Sequence, residues 1–264
     1  MLELEDIFIV FGKGTLQEKI VLRGINFSVS DGEIVSLVGN IGSGRSTLLK
    51  LLAGHVVPSF GKLWLNKSDI TLQILSERAK SFSFISPAHN MGVALNLTVA
   101  ENLAVASMHH QSKSIFSPAL DKETEDMYYE KLRSLNCMGM ETTLNQKAAD
   151  ISYLHRSVLA LLIATVKGTQ FLLIDDYSAG LNKSDAETLR NITAKIIKSQ
   201  KVTTIMVADD PKFALEVSDK VIVMSAGQVV SILFGEKKKK TKVEDLFAAF
   251  KITPKIKEFR PSDI

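Results

Sequence analysis

Residues 34–54 read IVSLVGNIGSGRSTLLKLLAG, and this stretch decides the fold. Its first five residues, Ile34-Val35-Ser36-Leu37-Val38, form a short apolar run of the kind that makes a buried strand. They pass directly into a glycine-rich turn, Gly39-Asn40-Ile41-Gly42-Ser43-Gly44-Arg45-Ser46. Ser46 and Thr47 then open a helix that runs from Leu48 to Ala53 and is closed by Gly54. Strand, glycine loop and helix in that order begin an α/β unit.

The turn matches the P-loop pattern G-x-x-x-x-G-K-[ST] everywhere but the lysine. Each residue type has a reason. Glycines let successive backbone N–H groups turn inward to meet phosphate oxygens. The helix that follows adds its positive N-terminal end. Ser46 offers a hydroxyl to a Mg²⁺ ion that also bridges phosphate oxygens. Residues Gly39 to Thr47 are therefore candidate nucleotide contacts. Arg45 is the departure: it keeps the positive charge but replaces a slim ammonium with a broad planar fork, which binds phosphate through a different geometry. The same pattern also describes a glycine-rich turn that binds nothing.

Working outward, the N-terminal segment alternates apolar and polar residues. Leu2, Leu4, Ile7 and Ile9 are followed by Ile20, Leu22, Ile25, Phe27 and Val29, which predicts half-buried antiparallel strands. From about Asn96 to Val166 the pattern becomes helical. Thr98, with Glu101 three residues on, predicts a capping box. Asp121 to Leu135 and Ser152 to Val166 read as two further helices. Strands return at Phe171 to Ile174, Thr203 to Val207, Lys220 to Met224 and Gln228 to Leu233. The tail Val243 to Phe250 reads as an amphipathic helix.

The bulk numbers bound the class. With 264 residues, 45% hydrophobic and 23% charged, the chain can bury a core without staples. Its single cysteine, Cys137, excludes an internal disulfide and suits a reducing, cytoplasmic setting. A formal charge of +3 gives no ground for nucleic acid, and none is expected as a partner. Glu3, Glu5 and Asp6 stand where a secretory signal would carry basic residues. The longest largely apolar run, Val158 to Val166, is far short of the roughly 20 residues that span a bilayer. Work at a membrane would therefore go through a partner.

A P-loop ATPase also needs an acid at the end of a later strand to hold the Mg²⁺ shell. Phe171-Leu172-Leu173-Ile174-Asp175-Asp176 supplies four apolar residues and then two carboxylates. With GEIVSLVGNIGSGRSTLLKLLAG and, later, FLLIDDYSAGLN, the chain resembles the nucleotide-binding domain of ABC transporters from Leu2 to about Leu233. The stretches LTVAENLAVAS, SVLALLIATVKGTQFLLID and GEKKKKTKVEDL resemble a narrower group: ATP-binding proteins of bacterial uptake systems paired with tryptophan/tyrosine-type substrate-binding proteins.

The resemblance implies an α/β fold of the P-loop NTPase type. A RecA-like core would carry an antiparallel β subdomain and an inserted helical subdomain at about 88–166, within a cassette of residues 1–235. Residues 236–264 would form a basic loop and a C-terminal helix or tail. It implies ATP and Mg²⁺, a head-to-tail dimer with a second ABC subunit of the same or a different kind, and transmembrane permease partners. A substrate-binding protein would belong to the same system indirectly. The place would be the inner face of the cell membrane. Residue by residue, Phe11 falls where an aromatic ring stacks on adenine, Ser46 and Asp175 on the Mg²⁺ positions, and Ser152 in the signature loop. Tyr177 to Asn182 is the D-loop region, with Asn182 where aspartate is usual.

Several functional positions depart together. Asp176 stands where the family has a catalytic glutamate, and it is one methylene shorter; a misplacement of about 1 Å costs on the order of a hundredfold in rate. Ser86 occupies the Q-loop glutamine position and Ala208 the switch histidine position. Ile151-Ser152-Tyr153-Leu154-His155 replaces LSGGQ and puts Tyr153 and Leu154 where two glycines admit a partner's γ-phosphate. Groups that act as a unit do not survive piecemeal removal. The expectation is nucleotide binding with weak or absent hydrolysis. Three functions compete: an importer ATPase with altered motifs, a non-catalytic subunit paired with an intact ABC ATPase, and, last, a soluble ABC protein outside transport.

The smaller features read as structural. Lys237 to Lys240 is expected as a solvated surface loop, with acidic lipid head groups as the alternative contact. His109 and His110 have no cysteine or carboxylate set around them and read as surface residues.

Overall fold

The computed structural model describes residues 1–86, 92–108, 122–166, 168–176 and 178–252. The readings of His109, His110 and Tyr177 lie outside the described residues. The chain divides into two compact units, Met1–Phe82 with Thr203–Ile264, and Ser83–Val202.

In chain order the first unit runs β1 (Leu2–Phe11), β2 (Lys19–Val29), β3 (Ile34–Gly39), α1 (Arg45–Ala53), β4 (Phe60–Leu65), β5 (Ser68–Asp69) and α2 (Leu75–Arg78). Next come β6 (Phe82–Ile85), α3 (Val99–Ser107), α4 (Lys122–Leu135), α5 (Tyr153–Val166), β7 (Phe171–Ile174) and α6 (Lys183–Gln200). The first unit is then completed by β8 (Thr203–Val207), α7 (Pro211–Val217), β9 (Lys220–Ser225), β10 (Gln228–Phe234), α8 (Gly235–Lys240) and α9 (Val243–Phe250).

The first unit holds two sheets. One is antiparallel, in the order β2-β1-β4-β5. The period-two pattern sets its register: Leu2 faces Val29 and Leu4 faces Phe27, and Leu2, Leu4, Ile7, Ile9, Leu22 and Ile25 are all buried. In the other sheet β10, β9, β3 and β8 are neighbours in that order, with β3 parallel to both β8 and β9 and β10 antiparallel at the edge. Ile34 to Val38 are buried, so β3 reads as a continuous run rather than an alternating one.

Between α1 and β6 stands Arg78, whose side chain is 1% exposed. Its guanidinium donates to the carbonyls of Leu52 and Ile70 and lies 5.8 Å from the centre of the Phe82 ring. Burial lowers its pKa to about 10, with the Asp69 charge opposing. The tail helix α9 places Leu246 in an apolar cluster with Val38, Ala208, Val221, Val223 and Leu233, and Ala249 and Phe250 pack on that cluster.

In the second unit β6 and β7 are neighbours. The capping box stands as its sequence predicts: Thr98 Oγ1 accepts from the Glu101 amide at 3.1 Å, and Glu101 accepts from the Thr98 amide at 2.7 Å. Helix α6, unassigned by the sequence reading, is an amphipathic helix that buries Ala186, Leu189, Ile192, Thr193, Ile196 and Ile197.

Lys237 to Lys240 fold as part of the short helix α8, not as a loop. Glu236 pairs with Lys239 one turn on at 2.7 Å, and the Lys238 ammonium reaches back to the carbonyl of Ser218. Among the described residues, no helix is long and apolar enough to cross a membrane.

Candidate functional site

The phosphate loop leaves the carboxyl end of β3, which lies between two parallel neighbours, where open α/β sheets bind ligands. The loop is held from beneath. The Ser43 amide donates to the Asn40 carbonyl at 3.1 Å, and the Ser43 carbonyl accepts from the Gly227 amide at 3.1 Å. Gly227 in turn accepts from the Arg23 amide at 2.9 Å, which ties the loop to β2. Gly44 has φ 96°, the left-handed region, and a Cβ there would stand 2.7 Å from Leu22 Cδ2. Its glycine is needed for both reasons.

Helix α1 begins without a side-chain cap and without an acidic residue in its first turn. Elsewhere the fold supplies such caps: Thr98 on α3, Asn182 on α6 and Asp210 on α7. The α1 terminus therefore presents its positive end to the loop with no side chain of the protein capping it. The Ser43 hydroxyl is buried with no hydrogen-bond partner. Asn40, Ile41, Gly42 and Ser46 are exposed at the mouth.

Arg45 does not project freely. Its side chain is 11% exposed, and its Nη1 donates to Asp209 Oδ1 at 3.2 Å. Asp209 follows Ala208, whose amide donates to the Leu37 carbonyl at 3.0 Å. Ala208 is buried in the apolar cluster beneath α9, so the position that would carry a switch histidine is part of the core. Asn40 Nδ2 donates to the carbonyl of Phe250 at the end of α9, at 3.0 Å. Phe11, at the end of β1, is 44% exposed and available for stacking.

The second unit gathers the acids. The Asp175 amide donates to the Ile85 carbonyl at 2.9 Å, so Ser86 and Asp175 leave adjoining strand ends. Both are buried. Asp176 has φ 36° and accepts through its carbonyl from the Ala179 amide at 3.2 Å, which turns the chain sharply after the strand. Ser152 stands apart from them in the sequence and uses its hydroxyl locally, accepting from the His155 amide at 3.1 Å at the start of α5. Leu154 is buried and Tyr153 half-buried. Asn182, placed in the D-loop by sequence, accepts from the Asp185 amide at 2.9 Å and so caps α6.

The sequence model of the family described as "ABC transporter" matches residues 22–179. The chain belongs to the ABC transporter family. Among curated relatives, a tyrosine transport ATP-binding protein of Clostridioides difficile (strain R20291) is 26% identical over 95% of this chain and 98% of the relative. The energy-coupling factor transporter ATP-binding protein EcfA2 of Caldanaerobacter subterraneus subsp. tengcongensis is 26% identical over 86% of this chain and 77% of the relative. Among solved structures, a nucleotide-free ATP-binding cassette from an ABC transporter superposes with a TM-score of 0.70 at 20% identity, covering 94% of this chain and 95% of that one. The cbiO1 structure from Clostridium perfringens gives 0.71 at 20% identity, covering 94% and 90%. The fold is that of an ABC ATP-binding cassette, a P-loop NTPase.

As an ABC cassette, the chain carries a glycine-rich loop with hydroxyl side chains between β3 and α1, and an acid at the end of β7. Sequence reasoning missed Asp209 and the Asn40–Phe250 bond. The signal for Asp209 was an acid directly after Ala208 at the end of β8.

Proposed function

We propose that this chain is the ATP-binding subunit of a bacterial import system and that it binds nucleotide while contributing little hydrolysis of its own. The observation that carries binding is the uncapped α1 terminus beside the buried, unpartnered Ser43 hydroxyl and the exposed loop mouth. Residues Gly39 to Thr47 take the phosphates, and Phe11 takes the base.

Mg²⁺ enters with the nucleotide. The Ser46 hydroxyl in the first unit and the Asp175 carboxylate in the second are each hard oxygen donors of the type this ion would take. Among the described residues, no cluster of three or more His, Cys, Asp or Glu forms a metal cage of its own. When bound, the ion neutralises charge on the phosphate oxygens.

Weak hydrolysis follows from the residues present. Asp176 is the candidate base, Ser86 offers a short hydroxyl in place of a long amide, and Ala208 offers the γ-phosphate no polar group. Ser152 is the one residue kept from LSGGQ, and its hydroxyl accepts from the His155 amide. The transport assignment rests on the relatives' names, the permease and second ABC subunit on the family. A membrane-face location follows from those partners. The substituted positions favour pairing with an intact ABC ATPase, which would supply working catalytic residues.

Phosphate release by the purified full-length chain with Mg-ATP tests this reading. Near-background release together with measurable ATP binding supports it. Steady multiple turnover by the chain alone overturns it.

A further inference from the structure

Arg45 is the only basic residue between Gly39 and Leu49, so it supplies the loop's sole side-chain cation. A carboxylate already holds it. Asp209 Oδ1 receives the Arg45 Nη1 hydrogen at 3.2 Å, and the Arg45 side chain is 11% exposed while that of Asp209 is 54% exposed. The carboxylate is not on a wandering loop. On one side the Ala208 amide bonds the Leu37 carbonyl at 3.0 Å. On the other, Asp210 Oδ1 accepts from the amides of Lys212 and Phe213 at 2.9 and 3.3 Å and caps α7. Both anchors fix the backbone that carries Asp209 beside β3, from which the phosphate loop springs.

Two consequences follow from charge. The ion pair cancels the loop's only side-chain cation, and a phosphate approaching Arg45 meets a second anion at the same guanidinium. Like charges at one site cost free energy, and one of the five guanidinium N–H donors is already given to the carboxylate. The planar guanidinium fork binds carboxylate and phosphate by the same geometry.

We propose that Asp209 is a built-in competitor for phosphate: its carboxylate occupies Arg45 in the resting protein, and nucleotide binds by displacing it. This rests on the reading that the chain binds nucleotide through residues Gly39 to Thr47. Asp209 thereby sets the affinity threshold for the phosphate part of the ligand. The adenosine part is untouched by it.

The test compares the full-length chain with Asp209→Asn and Asp209→Ala by titration calorimetry, using Mg-ATP and, separately, inorganic pyrophosphate. Asparagine keeps the shape and removes the charge; alanine removes the contact. Melting curves of the unliganded proteins establish that each variant is folded. Both variants are expected to bind each ligand more tightly, by about fivefold, the scale of a partly exposed ion pair. Binding by the variants where the wild type shows none supports the proposal equally. Unchanged or weaker binding by folded variants, with the wild type binding ATP, overturns the competitor and leaves the nucleotide reading standing. Failure of all three proteins to bind either ligand at millimolar concentration overturns both.

Discussion

Asn40, the second residue of the phosphate loop, donates its Nδ2 hydrogen to the carbonyl of Phe250, the last residue of α9, at 3.0 Å. A neighbouring bond runs from Ser225 Oγ to the Ile252 carbonyl at 2.9 Å. The end of the tail helix is thus fastened to the phosphate loop and to the strand beside it. Asn40→Ala is expected to lower stability by about 1 kcal/mol, the scale of one net hydrogen bond, and to speed proteolysis near Phe250. Limited trypsin digestion of folded protein checks this; an unchanged cleavage rate at Lys251 contradicts it.

Gly44 carries a second prediction. A side chain there meets Leu22 Cδ2 at 2.7 Å and Val21 O at 3.2 Å, in a left-handed backbone at φ 96°. Gly44→Ala is expected to destabilise the chain by about 1–2 kcal/mol and to weaken phosphate binding, because the loop must shift to admit the methyl group. Urea unfolding and ATP titration of the same variant measure the two effects.

Ala208→His would place an imidazole at the position the sequence suggests for the switch histidine, yet Ala208 is buried beside Val38, Ala214 and Leu246. An imidazole placed there crowds apolar neighbours and loses water contacts. A destabilisation of about 2 kcal/mol is expected, with no gain in phosphate release from this change alone. Asp176→Glu added to it is expected to raise release only if α9 gives way to the histidine. A stable Ala208→His variant with raised turnover would contradict this packing account.

Cys137 is fully buried, and burial raises its thiol to about 11, with the Lys195 charge opposing and Glu141 adding to the rise. A raised thiol pKa means less thiolate at any pH below it. At pH 8 the native thiolate fraction falls about two orders of magnitude below that of an ordinary cysteine, and alkylation should slow at least as much. Because the protonated form is the one the fold accommodates, this contribution to stability is full below the unfolded pKa and is lost as pH rises through about 11. Iodoacetamide rates in buffer and in urea report the difference.

Much of this architecture can be read from local pattern. The run from Ile34 to Gly54 specifies its own strand, turn and helix, and Thr98 with Glu101 specifies its own cap. The period of Ala186, Leu189, Thr193 and Ile196 also marked α6, but the charged residues between them masked it in a reading led by apolar runs. Helix α8 was hidden for another reason: four successive lysines repel one another locally, and the helix gains its place through Glu236 and the reach of Lys238 to Ser218. Arg45 and Asp209 are 164 residues apart, as no periodicity could show. The same holds for Asn40 and Phe250, and for Arg78, whose carbonyl partners exist only once α1 and the β4–β5 hairpin have packed.

The altered loop, with Arg45 in place of the usual lysine, is expected still to bind nucleotide. The melting temperature of the full-length chain, taken with and without Mg-ATP, tests it most directly. A ligand at about a hundred times its dissociation constant stabilises by about 2.7 kcal/mol, a rise of several degrees for a chain of this size. That rise is the predicted result. An unchanged melting temperature at millimolar Mg-ATP would contradict the account.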